Sequence, residues 1–418
     1  STGTCIEVQT SDVEIDCDAY EIEYGTSATG SGIEAGSFSN ITIRDCSIVK
    51  DSSIGSDNYG VLFDYTSDSS IYSSNISTNG TGNNYAIFVN SSSGGVVIEN
   101  NTLLADGSST VNRGVNLRSS DYVSVHNNTV IFNGSANAGG IASSLVSVGI
   151  NITFNNVTGN MTGATGIHMT QSDNSVVSNN IISIIGINSE AFFLSNGFDN
   201  NRIEHNIISA SGSNADGIVL FVSGQPSYDN NITNNTFVSV SSDELYTSAP
   251  GHNNTYFIDQ NIGSYSIATS GSVFNFVNTT HGEIKFLSNV SGSGTNLIGN
   301  ETSDIVFGSN SVFVNSSNNA GLNVSANVTL YSVPTTFTNP EILRDGVICD
   351  ATTTVTCENF TDLNAGTVEF NVSGWSTYSI GENNVAPTVE LTSPADTLLT
   401  ATTSHVFYCN ATDDSELS

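Results

Sequence analysis

An asparagine pair set between two apolar runs, "SVVSNNIISII" at residues 175–185, is the feature that most narrows the folds open to this chain. Related phrases recur: "VVIENNTLL" (96–104), "VSVHNNTVIF" (123–132), "INITFNNVT" (150–158), "NRIEHNIIS" (201–209) and "NITNNTFVS" (231–239). In each, one Asn lies three residues after an apolar residue and two before the next. These are Asn101, Asn128, Asn155, Asn180, Asn206 and Asn235. A period of about 25–29 residues marks a stacked repeat architecture. Each unit also opens alike, with "GVLFDYTSDSS" (60–70), "GVNLRSSDY" (114–122), "GIHMTQSDN" (166–174) or "GIVLFVSGQ" (217–225). No run has a 3.6-residue apolar period, so strands of three to five residues separated by polar turns are expected. Three strands per coil, stacked in parallel, make a right-handed parallel β-helix.

This architecture answers the cost of burying an amide. An inward Asn is unfavourable unless it is hydrogen-bonded. Successive coils lie about 4.8 Å apart, so equivalent Asn side chains can donate and accept along the axis. The six asparagines are therefore expected as one inward ladder at a turn.

The fold class is all-β. Residues 1–262 read as the β-helix. Longer alternating strands over 263–382, such as "SVFNFVNTTHGEIKFLSNV" and "GTVEFNVSGWSTYSIGE", read as a β-sandwich with Trp375 in its core. Residues 383–418 read as a linker and the first strands of an immunoglobulin-like domain, too few to close a sandwich. The missing strands are expected from further chain or from another subunit.

Composition sets the class of partner. Seven cationic residues oppose 40 acids, for a net charge of −33. Nucleic-acid binding needs a basic surface, and anionic lipid likewise disfavours such a chain. The acids are densest over 7–24, which reads as a solvated face. No EF-hand or repeat-type calcium loop is present, and no cofactor or metal pattern is found. The chain begins at Ser1 and has no apolar stretch of membrane-spanning length. A removed signal peptide is expected, with any anchor outside this sequence.

Sequons and cysteines both point to export. Asn-x-Ser/Thr occurs roughly twenty times. In "NNT" the first Asn carries the motif, which gives Asn100, Asn127 and Asn234. Asn40, Asn75, Asn156, Asn231, Asn278, Asn327 and Asn371 are further glycosylation candidates. Cys17 and Cys46 each follow a strand about one coil apart, which suits a disulfide, with Cys5–Cys17 as the rival pairing. Cys349 and Cys357 flank a short loop and are expected to pair. Cys409 has no partner in view. Disulfides belong to an oxidising setting outside the cytosol.

Read in order, "TGTCIEVQTSDVEIDC", the "NNT" coils, "ANVTLYSV…ILRDGVIC…FNVSGWSTYSI" and "APTVELTSPAD…FYCNATDDS" resemble secreted archaeal cell-surface glycoproteins. Those proteins carry a β-helix followed by sandwich and immunoglobulin-like domains. The resemblance covers essentially the whole chain and implies location and architecture more than activity.

Three functions fit. The first is a structural cell-surface subunit of a surface layer (S-layer) or filament, which self-associates. The second is an adhesin that binds glycans or a partner cell. The third is a polysaccharide lyase or glycoside hydrolase working along one sheet. Counting from each repeat's Gly gives outward pairs Leu62/Asp64, Phe88/Asn90, Asn116/Arg118, Ala142/Ser144, His168/Thr170 and Val219/Phe221. Arg118 and His168 stand out, with a solvated surface side chain as the favoured reading of each. No acidic pair is stacked among these positions, and no nucleophile-elbow motif occurs, so no catalytic residue is assigned.

The sequon geometry generates a test. Intact-glycopeptide mass spectrometry of native protein should find sugar on Asn100, Asn127 and Asn234 and none on Asn101, Asn128 or Asn235. Bare asparagine at all three "NNT" positions would refute the placement.

Overall fold

The computed structural model describes residues 3–25, 29–50, 55–92, 94–107, 111–134, 138–248, 250–382, 388–393 and 408–412. Short strands recur along the first part of the chain and stack in parallel into a β-helix with three faces. The first face runs through Ile6–Val8, Ser31–Gly36, Asn58–Asp64, Asn84–Asn90, Asn112–Arg118, Gly139–Ser144, Thr165–Thr170, Glu190–Ser195, Asp216–Phe221 and Leu245–Thr247. The second includes Ile41–Arg44, Ser124–His126, Val176–Ser178 and Arg202–Glu204. The third is a nine-stranded sheet from Glu21–Glu23 to Thr236–Val240.

Alternation along these strands fills the interior with stacked apolar side chains. Ile33, Val61, Ile87, Val115, Ile141, Ile167, Phe192 and Ile218 form one buried register row on the first face. The small residue near the start of each first-face strand is also explained. A Cβ on Gly60 would lie 2.1 Å from Ile76 Cγ2 and 2.5 Å from the Ala86 carbonyl, inside any tolerable approach.

The six asparagines do form one ladder. Asn101 Nδ2 donates to Asn128 Oδ1 (3.0 Å), Asn128 to Asn155 (3.0 Å) and Asn155 to Asn180 (3.0 Å). Asn180 donates to Asn206 (2.9 Å), and Asn206 to Asn235 (2.9 Å). Each Oδ1 also accepts the backbone N–H of the preceding ladder residue, as in Asn155 N–H to Asn180 Oδ1 (2.9 Å). Each Nδ2 reaches back to a second-face carbonyl, as in Asn180 to the Ile152 oxygen (2.9 Å). All six are buried.

The ladder extends past its asparagines. Gln260 Oε1 accepts from the Asn235 N–H (2.8 Å) and closes the C-terminal end. At the other end Asn101 Oδ1 accepts from the Ser74 N–H, and Ser74 Oγ accepts from the Cys46 N–H. Cys46, which holds the same offset from Ile43 and Ile48, bonds to Cys17 (Cα–Cα 4.8 Å). The rival pairing fails because Cys5 is a free thiol on the first face. Cys349–Cys357 is the second disulfide.

The residue before each ladder position has a positive φ: Ser73, Asn100, Asn127, Phe154, Asn179, His205, Asn234 and Asp259. The turn from second to third face is therefore left-handed, a conformation Asn tolerates better than most residues. The "NN" pair thus divides its labour: the first Asn makes the turn and faces out, and the second faces in.

After residue 262 the β-helix does not simply stop. Tyr265–Asn278 runs parallel to Leu245–Thr247 and His252–Ile258, and pairs antiparallel with Gly282–Phe286 and Val290–Gly294. It converts the parallel stack into an antiparallel sheet continued by Ala326–Leu330, Val368–Val372 and Cys357–Asn359. A separate sheet holds Ile305–Gly308, Ser311–Val314, Thr377–Glu382, Pro340–Arg344 and Val347–Ile348. Trp375 is buried between Phe286 and Tyr378, with ring centroids 5.6 and 5.8 Å away, and its Nε1 donates to the Val324 carbonyl. Further on, Thr388–Ser393 and Tyr408–Thr412 form an antiparallel pair. The other residues of the expected immunoglobulin-like segment lie outside the described ones, as does the side chain of Cys409.

Replacing a mid-ladder amide strands partners in two neighbouring coils. Asn180→Ala should cost about 1–3 kcal/mol in urea denaturation. Thr102→Ala, on an exposed outward position, should stay within about 0.5 kcal/mol.

Candidate functional site

The outward side of the first face gathers the most varied chemistry in the molecule. Parallel register places Leu62, Phe88, Asn116, Ala142, His168, Phe193 and Val219 in one row. Asp64, Asn90, Arg118 and Ser144 form a second row, in which Asn90 Nδ2 donates to Asp64 Oδ1 (2.6 Å). Farther along that edge, Thr170, Ser195 and Phe221 align.

A third row lies three residues upstream of the first: Tyr59, Tyr85, Arg113, Gly139, Thr165, Glu190 and Asp216. Counting forward from the repeat's Gly passes over it, because these residues stand immediately before the small residue. Period-two alternation misses them as well, because two residues before Leu62 stands the inward Gly60, and Gly60 and Val61 are both buried. This row holds the stacked acids that the counted positions lack, since Glu190 and Asp216 are register partners in adjacent coils.

Three rings open the face. Tyr59 and Tyr85 stack at 5.4 Å, and Phe88 packs on both at 5.1 and 5.3 Å. Burial pushes the Tyr59 hydroxyl up to about 12, helped by Asp57, and burial also raises Tyr85. Two arginines follow. Arg113 Nη1 donates to Asn116 Oδ1 (2.5 Å), and Arg118 is exposed. Among the described residues neither arginine pairs with a carboxylate, whereas Arg44 and Arg202 both do. Burial pulls the Arg113 guanidinium below its usual value.

The next coil is nearly bare outward, with Gly139 and Ala142 in the first two positions. Beyond it His168 meets Phe193 edge-on at 5.1 Å, and Phe193 meets Phe221 at 5.5 Å. His168 is half-buried rather than fully solvated. Burial and then Arg113 hold its imidazole neutral, at about 4. The face ends in carboxyls. Glu190 Oε2 accepts from Thr165 Oγ1 (3.1 Å), yet burial raises this carboxyl to about 7, with Asp216 adding to the rise. Burial also raises Asp216, whose Oδ1 accepts the Asp243 N–H (3.0 Å). Among the described residues no three His, Cys, Asp or Glu side chains converge to hold a metal ion.

The glycan candidates sit elsewhere. Asn40, Asn75, Asn100, Asn127, Asn156 and Asn234 are exposed, and Asn40, Asn100, Asn127 and Asn234 occupy left-handed turns. Asn231, Asn278, Asn327 and Asn371 are half-buried, and Asn371 Nδ2 donates to Asn327 Oδ1 (3.0 Å).

No protein-family profile matches this chain, and no curated protein matches it. Solved structures similar to it include the A-module of the mannuronan C-5 epimerase AlgE6 of Azotobacter vinelandii. That match has 13% identity, 55% of this chain, 64% of that one and a TM-score of 0.34. The Dettilon tailspike protein is similar at 12% identity, over 90% of this chain and 87% of that one, with a TM-score of 0.35. The periplasmic alginate epimerase AlgG is similar at 14% identity, over 62% and 74%, with a TM-score of 0.33. The chain thus spans slightly less than two thirds of the epimerase module.

The shifted groups give a pH test. Glu190 titrates above its ordinary 4.5, so its contribution to stability is complete below that value and is lost as pH rises through about 7. Glu190→Gln should therefore gain about 1–2 kcal/mol relative to wild type between pH 5 and pH 8 in chemical denaturation, after discounting for partial exposure. His168 has the opposite sign: its neutral form contributes fully above 6.5, and that contribution is lost as pH falls towards about 4.

Proposed function

We propose that this chain is an extracellular cell-surface protein that holds an anionic polysaccharide along the outward side of its first face, an adhesin-type role. One observation carries the reading. In a chain with 40 acids, Arg113 and Arg118 share a face, beside stacked rings, with no carboxylate partner among the described residues. A partly buried cation without a counter-ion is costly, and a ligand carboxylate would relieve that cost through bidentate hydrogen bonds. The net charge of −33 opposes an anionic ligand. Screening limits that opposition to about 10 Å at ordinary ionic strength, so the arginines and their immediate neighbours dominate at contact. Flat aromatic surface beside the cations suits sugar rings, and one coil every ~4.8 Å provides a regular series of subsites along a polymer. Disulfides at both ends of the described fold agree with an oxidising setting. No helix among the described residues is long and apolar enough to cross a membrane.

Cleavage of the same polymer is a second reading, favoured by Glu190, a carboxyl titrating near neutrality beside Asp216. The role of structural subunit in a surface layer or filament draws support from the open first coil. Among the described residues Ile6–Val8, Val13–Asp16 and Glu21–Glu23 each pair on one side only. Glu7, Glu14, Asp16, Glu21 and Glu23 line that edge, and their charge discourages end-to-end stacking of identical chains.

Calorimetry with polygalacturonate and with neutral dextran tests the binding reading. Polygalacturonate should bind, dextran should not, and Arg113→Ala or Arg118→Ala should weaken binding at least about tenfold. Equal binding of both polymers, or of neither, overturns it. Release of new reducing ends that stops in Glu190→Gln would favour cleavage.

A further inference from the structure

The third face changes character partway along its length. Its outward positions hold Asn75, Thr102, Thr129 and Asn156 in successive coils, and then Ile181 and Ile207 in the same register row. Ile185 stands across from Asn160, and Ile187 follows in the next turn. With Val238 in a later coil, these apolar side chains are between 43% and 66% exposed. Outward isoleucine is not required by the fold, since polar residues fill the equivalent positions in the earlier coils.

Two further features belong to this window. The strands Ile181–Ile185, Ile207–Ser211 and Thr236–Val240 contain no ionisable residue, as holds for every third-face strand after Glu21–Glu23, although the chain as a whole carries a charge of −33. Glycosylation signals also stop here. Asn160 and Asn231 are sequon residues, yet none of the ten asparagines in 161–230 is followed two residues later by Ser or Thr.

We propose that this uncharged, sequon-free window is where two copies of the chain pack side by side. Charge decides the occupant. Two chains of −33 repel wherever acids face each other, so close approach needs a surface without them, and each copy supplies one. A two-fold pairing sets the same patch against itself, isoleucine on isoleucine. A basic partner would instead be drawn to the acid-rich surfaces elsewhere on the chain.

Size sets the strength. Three strands at about 4.8 Å, each about 13–17 Å long, offer only about 200 Å² per copy. That is below the roughly 800 Å² per partner of standard stable complexes, so the contact is weak and concentration-dependent in solution. On a crowded surface, effective concentrations approaching about the millimolar range would populate it.

Sedimentation velocity of the full chain, with and without enzymatic deglycosylation, tests this. Wild type should show reversible dimerisation that strengthens with concentration. Ile207→Asp should weaken it at least tenfold while the thermal melt stays unchanged, because the side chain points outward. Ile181→Asn, which creates a sequon with Ser183, should abolish dimers only when produced in a glycosylating host. A monomer at every concentration up to about 1 mM, or a dimer unaffected by Ile207→Asp, overturns the proposal. A dimer weakened by Glu7→Lys rather than Ile207→Asp would also overturn it, by placing the contact at the open first coil.

Discussion

The stacked amide at a left-handed turn is the interaction on which this molecule depends. The Asn128 side chain accepts the Asn101 N–H and donates to the Asn155 amide oxygen and to the Ile98 carbonyl in the preceding coil, so three coils are tied at one point. Because the pattern repeats, each coil is held in the register of the last. A slip by one residue would carry every inward side chain to the solvent side and every outward one into the core. The ladder therefore fixes what the outer faces display as well as what the interior buries.

Alignment is what turns scattered polar residues into a site. Tyr59, Tyr85 and Arg113 are separated by about one repeat each, yet they are neighbours because their strands pair residue for residue. The same register that collects rings and guanidiniums on the first face collects isoleucines on the third. Other ladders assist: Asn58, Asn84 and Asn112 form a buried amide row just ahead of Tyr59, Tyr85 and Arg113. The outward row thus stands directly beside a rigid internal one.

Much of the architecture was legible because period and chemistry coincide. The six ladder asparagines follow from one recurring offset between apolar residues, whereas Cys17 and Cys46 differ by one residue in that offset, which left Cys5–Cys17 open until the structure paired Cys17 with Cys46. Gln260 escaped notice because its longer side chain breaks the Asn pattern while still supplying the amide. The row from Tyr59 to Asp216 escaped because the small residue looked like the start of the strand, whereas the strand begins before it. The strand Tyr265–Asn278 could not be read as shared between two units, since parallel pairing on one edge and antiparallel pairing on the other leave no mark on alternation. Carboxyl and imidazole shifts at Glu190 and His168 arise from packing between coils, which a single strand's sequence does not contain.

The coil beginning at Gly139 has a consequence of its own. It sets almost nothing outward between Arg113 and Thr165, so it acts as a blank interval of one step between the cationic and acidic parts of the first face. Distances along that face are whole multiples of the coil spacing, since a fraction of a coil cannot be inserted without breaking the ladder. Gain or loss of one repeat would move Arg113 relative to Glu190 by about 4.8 Å and leave every other contact intact. The separation of these two charges is therefore digital, and divergent relatives could retune it only one rung at a time.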